Sequence, residues 1–119
     1  MPTPIIVGNI TSTEYHHVSP EEGGWEPLEG NTSAQSVLFV SNSGMRSGLM
    51  TYGPCSARET VNNYSSIQIL SGELSITSEG HTTDIGPGDI AHFTPGQEVV
   101  ITAKTPIREI FTTCGPFDQ

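Results

Sequence analysis

Four side chains of this sequence combine a basic group with a place in or beside an apolar alternation: His92, Glu59, Glu98 and Glu109. Each is a candidate general base, and Tyr52 and Tyr64 are the matching proton donors. Only a group that faces a pocket counts. Alternation along a strand makes Arg58 and Glu59 mutually exclusive, and likewise Arg108 and Glu109. An inward arginine would present a fork of donors suited to a carboxylate or an enolate oxygen. The other histidines offer less. His16 and His17 are adjacent in an extended segment, so they point to opposite sides. His81 follows Gly80 in a turn and reads as exposed. Cys55 lacks a base beside it in sequence and reads as a small buried hydrophobe. With Cys114 it forms no C-x-x-C pair and no zinc spacing. A disulfide between them would require the fold to bring them together.

These residues must be positioned by strands. From Val61 to Gly96 three apolar runs are cut by glycine turns: Ile67-Gln68-Ile69-Leu70, Leu74-Ser75-Ile76 and Ile90-Ala91-His92-Phe93. The cuts are Ser71-Gly72, Glu79-Gly80 and Gly86-Pro87-Gly88-Asp89. Short β-forming runs bounded by Gly, Pro and Asp predict antiparallel strands. Further strands are expected over 36–41, 46–52, 99–102 and 107–113, with a polar, irregular strand or loop over 57–64. Ser19-Pro20-Glu21-Glu22 predicts one helical turn, with Ser as N-cap, Pro first and Glu three after the cap. Gly23-Gly24 stops it. Trp25 to Gly30 reads as a loop anchored by Trp25, whose ring fills a barrel end. Pro4 to Ile10 is an apolar arm or edge strand. About eight short strands in one domain must pack as a sandwich or close as a barrel, and a small closed barrel leaves room for one small ligand.

Composition agrees. The chain has 119 residues, enough for one domain of modest core, and only 14% are charged, so Ser, Thr, Asn and Gly supply the polarity. Net charge is -9, with 4 Lys and Arg against 13 Asp and Glu. Such a surface repels a polyphosphate backbone and an anionic membrane, so neither nucleic acid nor membrane is an expected partner. No apolar run is long enough to span a bilayer, and no signal-like N-terminus is seen, so a cytoplasmic location is expected.

Ile69-Leu70-Ser71-Gly72-Glu73-Leu74-Ser75-Ile76 resembles the first signature of the cupin superfamily, a strand-turn-strand. Gly86-Pro87-Gly88-Asp89 followed by Phe93-Thr94-Pro95-Gly96 resembles the second. Trp25 to Gly30, Gly48-Leu49-Met50, Gly53-Pro54 and Ile107 to Phe111 follow the layout of small single-domain cupins related to the ethanolamine-utilisation and ureidoglycine-aminohydrolase types. The resemblance implies an all-β fold, a single jelly-roll β-barrel (double-stranded β-helix), with an N-terminal arm over residues 1–24 and the barrel over 25–119. It also implies a homodimer. Most cupins hold a divalent metal with two His and a Glu from the first signature and a His from the second. Here the counted positions fall on Arg58 and Thr60 with a longer spacer, or Glu59 and Val61 with a shorter one, then Ser65 and Val100. None is a histidine, so no metal and no other cofactor is expected.

If the longer spacer holds, Arg58 and Thr60 face the cavity, with Ser65 adding a second hydroxyl. The expected catalytic residues are then Arg58, His92 and Glu98. The expected ligand-binding residues are Tyr52, Thr60, Ser65 and Arg108, with Glu59 and Glu109 the alternatives to Arg58 and Arg108 on their strands. The function expected is proton transfer (isomerisation, elimination or cyclisation) on a small anionic or carbonyl compound, or else non-catalytic binding of a small metabolite.

Overall fold

The glycine-cut alternation of the central stretch becomes three strands in a computed structural model that describes residues 4–117: β6 (Ser65–Ser71), β7 (Leu74–Ser78) and β9 (Ile90–Phe93). Before them come β1 (His16–Val18), α1 (Pro20–Gly23), β2 (Trp25–Gly30), β3 (Ala34–Ser41), β4 (Met45–Tyr52) and β5 (Cys55–Thr60). β8 (His81–Ile85) lies between β7 and β9, and β10 (Glu98–Ala103) and β11 (Ile107–Cys114) close the order. One sheet has six strands in the order β1-β3-β4-β11-β6-β9, the other five in the order β2-β5-β10-β7-β8. Every neighbouring pair is antiparallel. From β2 onward the chain passes repeatedly between the sheets, which is the jelly-roll arrangement expected.

The two sheets face each other across one core. β7 contributes Leu74 and Ile76, β6 Ile67 and Ile69, β10 Val99 and β11 Ile107, all at most 9% exposed. These positions alternate along each strand, so their intervening neighbours point outward. The opposite face of the six-stranded sheet is also apolar, with Leu49 fully buried and Val37 nearly so. The N-terminal segment reaches Phe39 of this sheet, where Gly8 lies so close that a Cβ would overlap the ring.

Local signals decide the ends. α1 has the expected cap: the Ser19 hydroxyl accepts from the Glu22 backbone N–H, and the Glu22 carboxylate accepts from the Ser19 backbone N–H. Gly24 ends the turn in the left-handed region. The strands outnumber the expected eight. Trp25 to Gly30 is a strand rather than a loop, because it gains β5 as an antiparallel partner. The indole ring of Trp25 is half-buried, and its Nε1 donates to the Thr32 carbonyl at 2.9 Å. His81 is exposed as expected but starts β8, a strand whose first four residues are all exposed. Such an edge has polar residues on both faces, so period-2 reading cannot find it.

Gly72 sits at φ 97° between β6 and β7, and a Cβ there would lie 2.2 Å from the Pro106 carbonyl oxygen. Gly80 has φ 79° and open space around it. Gly72→Ala should therefore lower stability by well over the roughly 1 kcal/mol expected of Gly80→Ala, where only left-handed strain acts. Denaturant unfolding of both variants checks this, and equal losses would contradict the close approach.

Candidate active site

β4 ends in Tyr52, and β11 pairs Ile107 with it and Glu109 with Met50 two residues further in. Side chains two apart share a face, so Tyr52 and Glu109 both enter the barrel. The Tyr52 hydroxyl donates to Glu109 Oε1 at 2.5 Å. On β5 the apolar or small residues Cys55 and Ala57 alternate with Ser56 and Arg58, and they bring Glu59 to the inner face. Its pairing with Val99, which is 2% exposed, fixes that orientation. The interior thus holds a carboxyl–phenol pair with a second carboxyl and a thiol nearby.

Burial governs how these groups titrate. Desolvation raises the Glu109 carboxyl from 4.5 to about 7; the Tyr52 hydrogen bond pulls it down, and the Glu59 charge pushes it up. Desolvation also holds Tyr52 well above its ordinary value, with the charge of Glu109 adding to it. Glu59 and Cys55 are raised by desolvation as well. At neutral pH Glu109 is therefore divided between acid and carboxylate, which is the condition for a group that both gives and takes a proton.

The structure corrects the expected register. Arg58 points outward, half exposed, and its Nη1 donates to Glu26 Oε2 at 3.2 Å. Thr60 shares that outer face and is exposed. The shorter spacer is the one realised, placing Glu59 and Val61 inside. Glu98 is exposed beside the buried Val99, and His92 is exposed beside the buried Phe93. Arg108 lies on the opposite face of β11 from Glu109, which is 4% exposed. In each case an apolar neighbour claims the inner position, and alternation sends the polar residue out. Tyr52 does face inward, as does Ser65, which shares a face of β6 with Ile67 and Ile69. Arg58 and Glu98 are brought together, but on the outer surface, where both line a shallow cleft with Thr77, Glu79 and Val100.

A second cleft, of about 370 Å³, opens at the Tyr52 end of the barrel, lined by Tyr52 and Ile107 together with His17, Asn31, Gln35 and Thr51. Glu59 and Glu109, weighed as bases from the sequence but not chosen over Arg58 and Arg108, are the residues that face inward. The small-or-apolar series Cys55, Ala57, Val61 and the series Ile107, Phe111 carried the signal that would have placed them in. Both cysteines are free, Cys114 at the surface and Cys55 half-buried.

The family described as the EutQ-like cupin domain matches residues 41–111, and the chain belongs to it. Among solved structures it is similar to the EutQ protein of Clostridium difficile, at 17% identity and TM-score 0.64, over 71% of this chain and 64% of that one. A cupin superfamily protein of Desulfitobacterium hafniense gives 19% identity and TM-score 0.64, over 74% and 84%. A predicted oxalate decarboxylase of Thermotoga maritima gives 16% identity and TM-score 0.68, over 93% and 98%. At these identities the likeness concerns the fold. No curated protein sequence matches the chain.

The divalent metal associated with the cupin pattern asks for imidazoles inside the barrel. All four histidines are exposed, and among the described residues no three His, Cys, Asp or Glu are grouped to hold an ion. The inward donors are Glu59, Cys55 and a Glu109 already engaged by Tyr52, a set that does not fit such a metal.

Glu109 also sets a pH dependence. Its folded value lies above its unfolded one, so the fold favours the protonated form. Stability should be greatest below pH 4.5 as far as this group is concerned, fall as pH rises toward 7, and level off above that. The loss amounts to about 3 kcal/mol. Glu109→Gln should remove most of this slope and unfold at higher denaturant than the parent at pH 8; unchanged slopes would refute the assignment.

Proposed function

We propose that this chain is a metal-independent cupin that takes a small carbonyl-bearing molecule at the Tyr52 end of its barrel. It transfers a proton on that molecule, as a lyase, isomerase or cyclase does. The observation that carries the reading is the fully buried Glu109 carboxyl, with Tyr52 donating to it at 2.5 Å and no cation paired to it among the described residues. Burying a carboxyl so costs stability, and an apolar residue of the same size would avoid that. Groups retained at such expense and titrating near neutrality concentrate at functional sites.

In the proposed step Glu109 in its acid form donates to the substrate's carbonyl oxygen. Glu59 in its carboxylate form takes the proton from the neighbouring carbon, which leaves a neutral enol. Return of a proton to a different carbon completes an isomerisation, and loss of a leaving group completes an elimination. Tyr52 stays protonated throughout, and its hydrogen bond holds the Glu109 carboxyl in place. The second reading is non-catalytic binding in the same cleft, favoured by its uncharged lining of Asn31, Ser33, Gln35 and Thr51. In either case we propose a homodimer. Pro4 to Ile10 would form its arm, because Ile5 and Val7 stand 92% and 85% exposed in an apolar segment that one copy leaves uncovered.

The test is exchange of carbon-bound protons in D₂O, followed by NMR on a panel of small ketones, aldehydes and keto acids. Catalysed exchange should survive chelation and fall about a hundredfold or more in Glu109→Gln and in Glu59→Gln. Exchange that disappears on chelation would overturn metal independence. Binding without exchange by any member would favour the second reading.

A further inference from the structure

Arg58 and Glu98 share the outer face of the five-stranded sheet and carry opposite charges, yet they do not pair. β5 and β10 run in register with Arg58 opposite Val100 and Thr60 opposite Glu98, so Arg58 and Glu98 are diagonal neighbours on one face. The guanidinium turns the other way. Its Nη1 donates to Glu26 Oε2 on β2, and among the described residues no ion pair joins it to Glu98. Val100 stands between Arg58 on β5 and Thr77 on β7, in register with both. Glu79 lies two residues past Thr77 and Glu98 two before Val100, so antiparallel pairing brings the two carboxyls to the same end. A cleft of about 320 Å³ fills the space that these side chains and Ser78 surround.

This cleft, unlike the one at Tyr52, carries both signs of charge. The Arg58 side chain is 48% exposed, and the Glu26 contact occupies only Nη1, so the rest of its donor fork is open to a ligand. The carboxylates of Glu79 and Glu98 are exposed and make no hydrogen bond or ion pair to another side chain among the described residues. The hydroxyls are taken: Thr77 bonds Thr82 at 2.8 Å, and Ser78 donates to the Glu98 carbonyl at 3.1 Å. Selection therefore falls on the charged groups, with Val100 as an apolar floor between them.

A net charge of -9 repels a free anion from this surface. A molecule bearing both a carboxylate and an ammonium has no net charge to repel, and it can meet both ends of the cleft at once. Each exposed ion pair is weak alone. Joined in one molecule, the second contact forms intramolecularly and adds to the first.

We propose that this outer cleft binds a small zwitterionic amino acid, its carboxylate on the Arg58 guanidinium and its ammonium on Glu98 and Glu79. The site is separate from the barrel interior, because Arg58 and Glu98 point away from the inward Glu59 and Val99. It stands or falls apart from the proton-transfer reading.

The test is NMR titration of the full, nitrogen-labelled chain at pH 7. Glycine, β-alanine and γ-aminobutyrate, which differ in the stem between their charges, are compared with acetate and propylamine. At least one of the amino acids should shift the backbone amides of Thr77, Gly96 and Val100 saturably. It should bind about tenfold or more tightly than acetate or propylamine, and added salt should weaken it. Arg58→Gln and Glu98→Gln, each with the rest of the spectrum unchanged, should lower the affinity about tenfold and remove the advantage over the singly charged probes. Acetate or propylamine binding as tightly as every amino acid would overturn the proposal. So would shifts confined to the Tyr52 end, affinity indifferent to both substitutions, or no saturable shift in any titration.

Discussion

A carboxyl buried without a countercharge is the constraint around which this barrel is built. Glu109 occupies a position that an aliphatic residue would fill at no electrostatic cost, on a strand whose other inward residues are Ile107 and Phe111. The Tyr52 hydroxyl meets one of its oxygens and keeps the side chain in a single orientation. Everything else near it is arranged to leave that pair alone. Ile69, the partner of Glu109 on the neighbouring β6, is 1% exposed. The packing around a polar pair of this kind must be tight, because neither partner has a good alternative once water is excluded.

The fold was largely legible from residues, and the reasons are local. Glycine turns at Gly72 and Gly80 need left-handed backbone, and the runs between them alternate as half-buried strands do. The helical turn at Pro20 was readable for the same reason, since a capping box acts over four residues. What failed to show were strands defined by a partner rather than by their own pattern. β1, β2 and β8 are edge strands of polar or mixed composition, and they become strands because β3, β5 and β7 offer them hydrogen bonds.

The site was legible in its residue types and not in its orientation. Glu59 and Arg58 are one step apart, and a one-residue slip exchanges the inside of a strand with its outside. Counting from Gly72 across the loop between β5 and β6 left that step open. The decision belongs to pairing: Val99 and Val61 are buried neighbours of Glu59 on the inner face, and they commit the strand. At Glu109 the adjacent Ile110 weakened the alternation, so only the partner strands show which side is which. Arg58 then takes a different meaning. It belongs to an outer surface of paired charges and hydroxyls, with Glu26 across from it and the Ser56–Thr102 hydroxyl pair two residues along.

The position of β11 has a consequence for how the molecule forms. This strand follows all the other described strands and sits in the middle of its sheet, between β4 and β6. While a chain is being synthesised, β4 and β6 lack their common neighbour until β11 leaves the ribosome. The nascent protein therefore holds an open seam with two bare strand edges until β11 emerges, and closure of the barrel joins segments more than fifty residues apart, such as Met45 and Cys114.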